Sequence, residues 1–244
     1  AQKVLVGIDA NATDYEKVLY IHDYIVDNTV YDSDGADFVT ENPEADLPQD
    51  VHNSTSIYGC LVKRRAICSG YAATFKYLAD KLGLECLRVS GNGIETGEAH
   101  QWNCVKVDGA FYYIDVTWDD KVSAQPNKHT KDYDYFLITE KELLLTHTIK
   151  EDQKVPECVS EKYNYFVYNG LYMEEYTFKA FSQLIKAKLP FNKISIKFGS
   201  AAEREKAYND LFKGDKRFWN IFAIKAKTVS TSISETGLIL NIML

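Results

Sequence analysis

The stretch HQWNCVKVDGAFYYIDVTWDD, residues 100–120, constrains the fold more than any other part of the chain. Two alternating runs flank Asp108-Gly109, a dipeptide that takes up left-handed backbone readily and so closes two-residue hairpins. Such a loop sets Val107 opposite Ala110, and the numbers of paired residues then sum to 217. His100 falls opposite Thr117, and Trp102 opposite Asp115. Side chains alternate along a strand, so His100 and Asp115 share one face, a diagonal step apart. That separation suits an imidazole-to-carboxylate hydrogen bond. A three-residue loop would put the two on opposite faces.

A histidine oriented by a carboxylate is half of a nucleophilic site. The other half is read from RRAICSGYA, residues 64–72. Tyr71, Ala72, Phe75, Leu78, Ala79 and Leu82 recur at helical spacing, and Gly83 is suited to end the helix. Cys68 therefore stands at the start of a buried helix, with Ser69 and Gly70 at plausible cap positions. A helix start offers unpaired N–H groups and the positive end of a dipole, which favour a thiolate and can also receive an oxyanion. Arg64 and Arg65 add positive charge nearby. The order Cys68, His100, Asp115 suits a triad in which the histidine moves the thiol proton and the aspartate fixes its tautomer.

The remaining cysteines read as packing: Cys60 in a loop, Cys86 and Cys104 in strands. His52, His129 and His147 lie in polar contexts without a partner pattern. Five scattered cysteines make no disulfide framework and no zinc spacing, so neither metal nor cofactor is expected. In DSDGAD, residues 32–37, the glycine lacks an Asp or Asn at one of the proper steps before it for a calcium loop.

Upstream, Thr13 and Glu16 form a capping-box pattern before a helix whose stripe is Val18, Leu19, His22, Ile25 and Val26. His22 reads as a hydrogen-bonded core histidine. Residues 32–56, rich in Asp, Asn, Pro and Ser, read as a long surface loop. Between Val18 and Val62 there are nine acids and no Lys or Arg, a solvated rim or one that steers cationic substrates. The polar stretch around 150–158 predicts a boundary, giving domains 1–152 and 153–244. The second reads as strand (163–168), helix (175–188), strand (192–198), helix (200–213) and two strands (218–228, 235–243).

A net charge of −7 without a basic patch argues against a nucleic-acid partner. No apolar run is long enough to span a membrane.

The motifs C-x-G-x-A at 68–72, H-x-W-N at 100–103 and D-x-T-W-D at 115–119 resemble the transglutaminase-like superfamily, particularly its bacterial members. The likeness covers roughly residues 12–140. It implies an α+β fold: a papain-like core in which a helix carrying Cys at its N-terminus packs on an antiparallel sheet, followed here by a smaller α+β domain. It also implies Cys68, His100 and Asp115 as the triad, with acyl transfer at amide bonds through a thioester and a protein or peptide as substrate. Hydrolysis by a cysteine peptidase or amidase is favoured. The alternatives are glutamine–lysine cross-linking, or a cell-surface binding module on the same scaffold. Tyr58 is the candidate for completing the oxyanion hole, with Ser69, Trp102 and Trp118 as further substrate-side candidates. The chain begins at Ala1 rather than Met, as a processed product does, and an extracellular or cell-envelope location is expected.

Overall fold

The structure is a computed structural model that describes residues 2–122, 129–214, 216–221, 224 and 226–244. It divides into two compact units, Ala1–Tyr163 and Asn164–Leu244. In the first, Thr13 caps helix α1 (Asp14–Asn28) with the reciprocal Glu16 bond that its sequence predicts. His22 on this helix is fully buried, with Nδ1 2.9 Å from Asp23 and Nε2 3.2 Å from Asp119.

Residues 32–56, expected as a loop, instead form helices α2 (Ser33–Glu41) and α3 (Gln49–Ser54). Asp32, a loop former by type, works here as the N-cap of α2, accepting from the Gly35 N–H. A buried Asp32 also receives the Ser54 hydroxyl and the Arg65 guanidinium, which tie the two helices down. Local polarity hid this, because the stabilising partner is more than thirty residues away.

Helix α4 (Cys68–Lys81) buries Tyr71, Phe75, Leu78 and Ala79. Strands β1 (Cys86–Gly93), β2 (Ala99–Val107), β3 (Ala110–Ile114) and β4 (His147–Ile149) form an antiparallel sheet ordered β3-β2-β1-β4. Asn103 joins α4 to this sheet by donating to the carbonyls of Ala72 and Leu87. The hairpin has the anticipated register: Val107 pairs with Ala110 and Asn103 with Ile114. Asp108 and Gly109 both have positive φ, 48° and 87°, the signature of the tight turn that fixes it. Trp102, Cys104 and Tyr113 consequently point into one apolar cluster with Val89, Tyr135 and Ile138.

Residues 153–163 belong by sequence to the second unit but pack on the first. Cys158 enters the cluster beside Cys104, Ser160 meets the Tyr112 hydroxyl at 2.7 Å, and Tyr163 stacks on Tyr15. The second unit holds β5 (Tyr172–Met173), α5 (Phe178–Lys188), β6 (Lys193–Phe198), α6 (Ala201–Tyr208), β7 (Ser230–Ile233) and β8 (Ile239–Met243). Its sheet is ordered β7-β8-β6-β5 over a core that includes Phe181, Ile196, Phe198 and Leu240. Residues Tyr165–Tyr168 are helical, not a strand, because Asn164 caps them by accepting from the Phe166 N–H. Arg217–Asn220 is likewise a 3-10 turn at the start of an expected strand. Among the described residues no helix is long and apolar enough to cross a membrane.

Candidate active site

Cys68 is the first residue of α4, and the preceding Ile67 has no side chain able to cap it. The Gly70 N–H closes on the Ile67 carbonyl at 2.9 Å, leaving those of Cys68 and Ser69 to whatever occupies the space before the helix. Gly70 explains the spacing of the CSG motif. A Cβ there would sit 2.4 Å from the Ser54 carbonyl oxygen and 2.9 Å from the Ala66 Cβ. Only glycine lets the end of α3 approach the helix start, where Ser54 O accepts the Ile67 N–H at 2.9 Å.

His100 and Asp115 meet as the hairpin parity requires: Nε2 lies 2.6 Å from Oδ2. That leaves Nδ1 unengaged by Asp115, and His100 lines the same cleft as Cys68, whose side chain helps to raise the imidazole pKa. The Asp115 carboxylate is fully enclosed and saturated. Oδ1 accepts the N–H groups of Thr117 and Trp118, so Asp115 also caps the helical turn Val116–Asp119. Oδ2 faces a second histidine, His147, at 3.2 Å. Burial alone would neutralise Asp115, but His100 and the surrounding donors hold its carboxyl below the usual range. Burial likewise opposes a charged His100, yet Asp115 and Cys68 outweigh it and push the imidazole up to about 10.

His147 is the residue that the sequence reading passed over. It is completely buried, with Nδ1 2.8 Å from the Thr146 hydroxyl and its ring 4.2 Å from that of Trp118. The pairing of β4 with β1, which brings it in, spans more than fifty residues and leaves no local signal. His100, Asp115 and His147 offer ligand atoms all within 4.8 Å of one another, a donor set of metal-binding type that the sequence reading did not foresee. Their nitrogens and oxygens are already committed to one another as hydrogen bonds.

The cleft in front of Cys68 has a volume of about 460 Å³. Tyr31, Ile67, Ser69 and His100 line it, α2 supplies an apolar wall through Ala36 and Val39, and Glu98 and Lys150 add charge. Ser69, expected at the helix cap, is instead the second residue of α4, the cap position falling to Ile67; its hydroxyl is buried without a hydrogen-bond partner among the described residues. Tyr58 does not line the cleft. It is 49% exposed at the start of the turn Gly59–Lys63, with the Lys63 ammonium over its ring. The tyrosine that lines the cleft with Cys68 is Tyr31, brought there by its pairing with Ala66. Trp102 and Trp118 flank the His100 ring at 5.8 and 5.2 Å and are absent from the cleft lining.

Arg65 is engaged with Asp32 and Asp34, and Arg64 lies over the Tyr24 ring, so both cations are occupied away from the thiol. Cys60, Cys86 and Cys104 are buried, as packing cysteines are. His52 is exposed on α3, and the His129 side chain lies outside the described residues.

The His100–Asp115 pair also sets a pH dependence of stability. The folded state raises the His100 pKa from 6.5 to about 10, so this contribution is complete below pH 6.5 and is lost as pH climbs towards 10. Asp115 shifts the other way from 3.8; its contribution is present above that pH and lost in acid. The thermal midpoint is expected to fall between pH 6.5 and 10, and to fall less steeply in His100→Gln. Parallel curves for the two proteins would contradict the assignment.

Residues 2–116, which include Cys68, His100 and Asp115, match the family model for the Transglutaminase-like superfamily. Human kyphoscoliosis peptidase is 28% identical over 116 residues, covering 43% of this chain and 16% of that protein; the mouse protein matches equally. The chain thus spans 16% of the length of these curated relatives. A solved structure described as a TGase superposes with a TM-score of 0.42 at 23% identity, covering 55% of this chain and 34% of the other. Residues 2–116 of the first unit are thus similar to the transglutaminase-like superfamily.

Proposed function

We propose that the first unit transfers acyl groups from amide bonds to water through a Cys68 thioester, making it a cysteine peptidase or amidase acting on protein or peptide substrates. The observation that carries this reading is the His100 ring held 2.6 Å from Asp115 and lining one cleft with Cys68. His100 already holds the thiol proton, as its raised pKa favours, when the sulfur attacks the amide carbon. The tetrahedral oxyanion is received by N–H groups at the start of α4, in the cleft that Tyr31 also lines. Collapse breaks the C–N bond, and His100 gives its proton to the departing amine. Water then attacks the thioester, His100 takes a proton from it, and the thiol is restored as the acid leaves.

The likeness to proteins named as peptidases supports water as the acceptor. Cross-linking requires an amine instead, and Glu98 at the cleft is the group that suits an ammonium.

The test compares wild type with Cys68→Ala, using iodoacetamide and then casein mixed with a primary amine. Labelling is expected at Cys68 by peptide mapping, with new amino termini or released ammonia in the wild type only. Loss of the nucleophile is expected to remove activity by a factor of ~10³ or more. Amine incorporation without hydrolysis would assign cross-linking, and an unreactive Cys68 without turnover would leave the binding module.

A further inference from the structure

We propose that His147 is a positioning residue for this reaction, locking the Asp115 carboxylate so that it can orient His100. The inference rests on the reading of Cys68 and His100 given above. Asp115 Oδ2 can only accept, so the His147 Nε2 atom 3.2 Å away must carry a proton. In a neutral ring Nδ1 then has a free lone pair, and the Thr146 hydroxyl, 2.8 Å from it and 3.4 Å from the Leu143 carbonyl, donates to the nearer acceptor. The result is one directed line: Thr146 O–H to His147, His147 N–H to Asp115, and His100 N–H to the same carboxylate oxygen.

The arrangement is built, not incidental. His147 and Asp115 are both fully enclosed, and Thr146 is 7% exposed. The rings of Trp118, Trp102 and Tyr135 surround His147 at 4.2, 4.9 and 5.4 Å, so no water replaces its hydrogen bonds. With two backbone donors on Oδ1 and two histidines on Oδ2, the carboxylate has no freedom to turn. Remove His147, and Oδ2 keeps a single partner and space beside it. His100 then loses its fixed direction towards Cys68.

The experiment follows iodoacetamide alkylation of Cys68, mapped by mass spectrometry, together with thermal unfolding. His147→Phe keeps the aromatic packing and removes the donor; its alkylation rate at pH 7 is expected to fall ~10–100-fold. His147→Gln presents an N–H near the Nε2 position and is expected to recover most of that loss. A packing role alone would lower the thermal midpoint without separating Gln from Phe. Thr146→Val, which leaves the ring in place, is expected to slow alkylation as well and serves if His147→Phe does not fold.

His100→Ala separates the two claims. If it is slow while folded His147→Phe and Thr146→Val react like wild type, His147 is a packing residue and this inference fails alone. Equal rates for the Gln and Phe variants overturn it too. If His100→Ala itself alkylates at the wild-type rate, the reading of the site fails and the inference with it.

Discussion

Asp115→Asn is expected to lower turnover ~10³–10⁴-fold while leaving Cys68 and His100 chemically intact. The reason lies in what surrounds the carboxylate. Oδ1 receives two backbone N–H groups and Oδ2 receives two histidine N–H groups. An asparagine must aim its NH₂ at one of these pairs, and each consists of donors. If it faces the backbone, two buried N–H groups lose their acceptor and the turn Val116–Asp119 loses its cap. If it faces the histidines, His100 must become an acceptor at Nε2. The ring proton then sits on Nδ1, the nitrogen that has to take the thiol proton from Cys68. Neither amide orientation preserves both the cap and the base. A stability loss of ~1–3 kcal/mol accompanies the change, as for any buried polar group left unpaired. Pre-steady-state acylation separates the effects, because the rate is measured on folded protein. A variant within tenfold of wild type would remove Asp115 from the orienting role.

The same residues show how far the sequence reaches. The hairpin was legible because its turn chemistry, alternation and register are all local; one dipeptide determined which face His100 and Asp115 share. Helix α4 was legible because its apolar stripe and its ends lie within sixteen residues. What escaped was held by distant partners. Asp32, Asp34 and Arg65 turn a polar, acidic stretch into two helices, the first of which walls the cleft. Tyr31 reaches the site only because it pairs with Ala66, whereas Tyr58, closer to Cys68 in sequence, is carried outwards by the turn after it. His147 sits among polar residues in the chain and among aromatic rings in the fold. Strand pairing between β1 and β4 makes that difference, and no periodicity within THTIK reveals it.

That pairing depends on one glycine, and Gly91→Ala is expected to disrupt fold and site together. Gly91 is central in the sheet, opposite His100 on β2 and Ile149 on β4. A Cβ at this position would lie 1.7 Å from the carbonyl oxygen of Thr148 and 2.7 Å from the Trp102 ring. The first is backbone, so relief requires β4 to move away from β1. The second is a ring already packed at 5.8 Å from His100 and 4.9 Å from His147. Overpacking a core costs ~1–3 kcal/mol when side chains can yield, and more when a strand must separate. Denaturant unfolding is therefore expected to show a loss of ~3 kcal/mol or more for Gly91→Ala. Gly97→Ala provides the contrast: its φ of 69° is strained for alanine, but nothing lies near the new Cβ. That variant is expected to lose only ~1–2 kcal/mol, the cost of left-handed backbone. Displacing Thr148 also displaces its neighbour His147, so the residual folded Gly91→Ala protein should alkylate Cys68 slowly, as His147→Phe does. A Gly91→Ala protein as stable as Gly97→Ala would mean that β4 tolerates the shift. The sheet edge would then not be what holds His147 against Asp115.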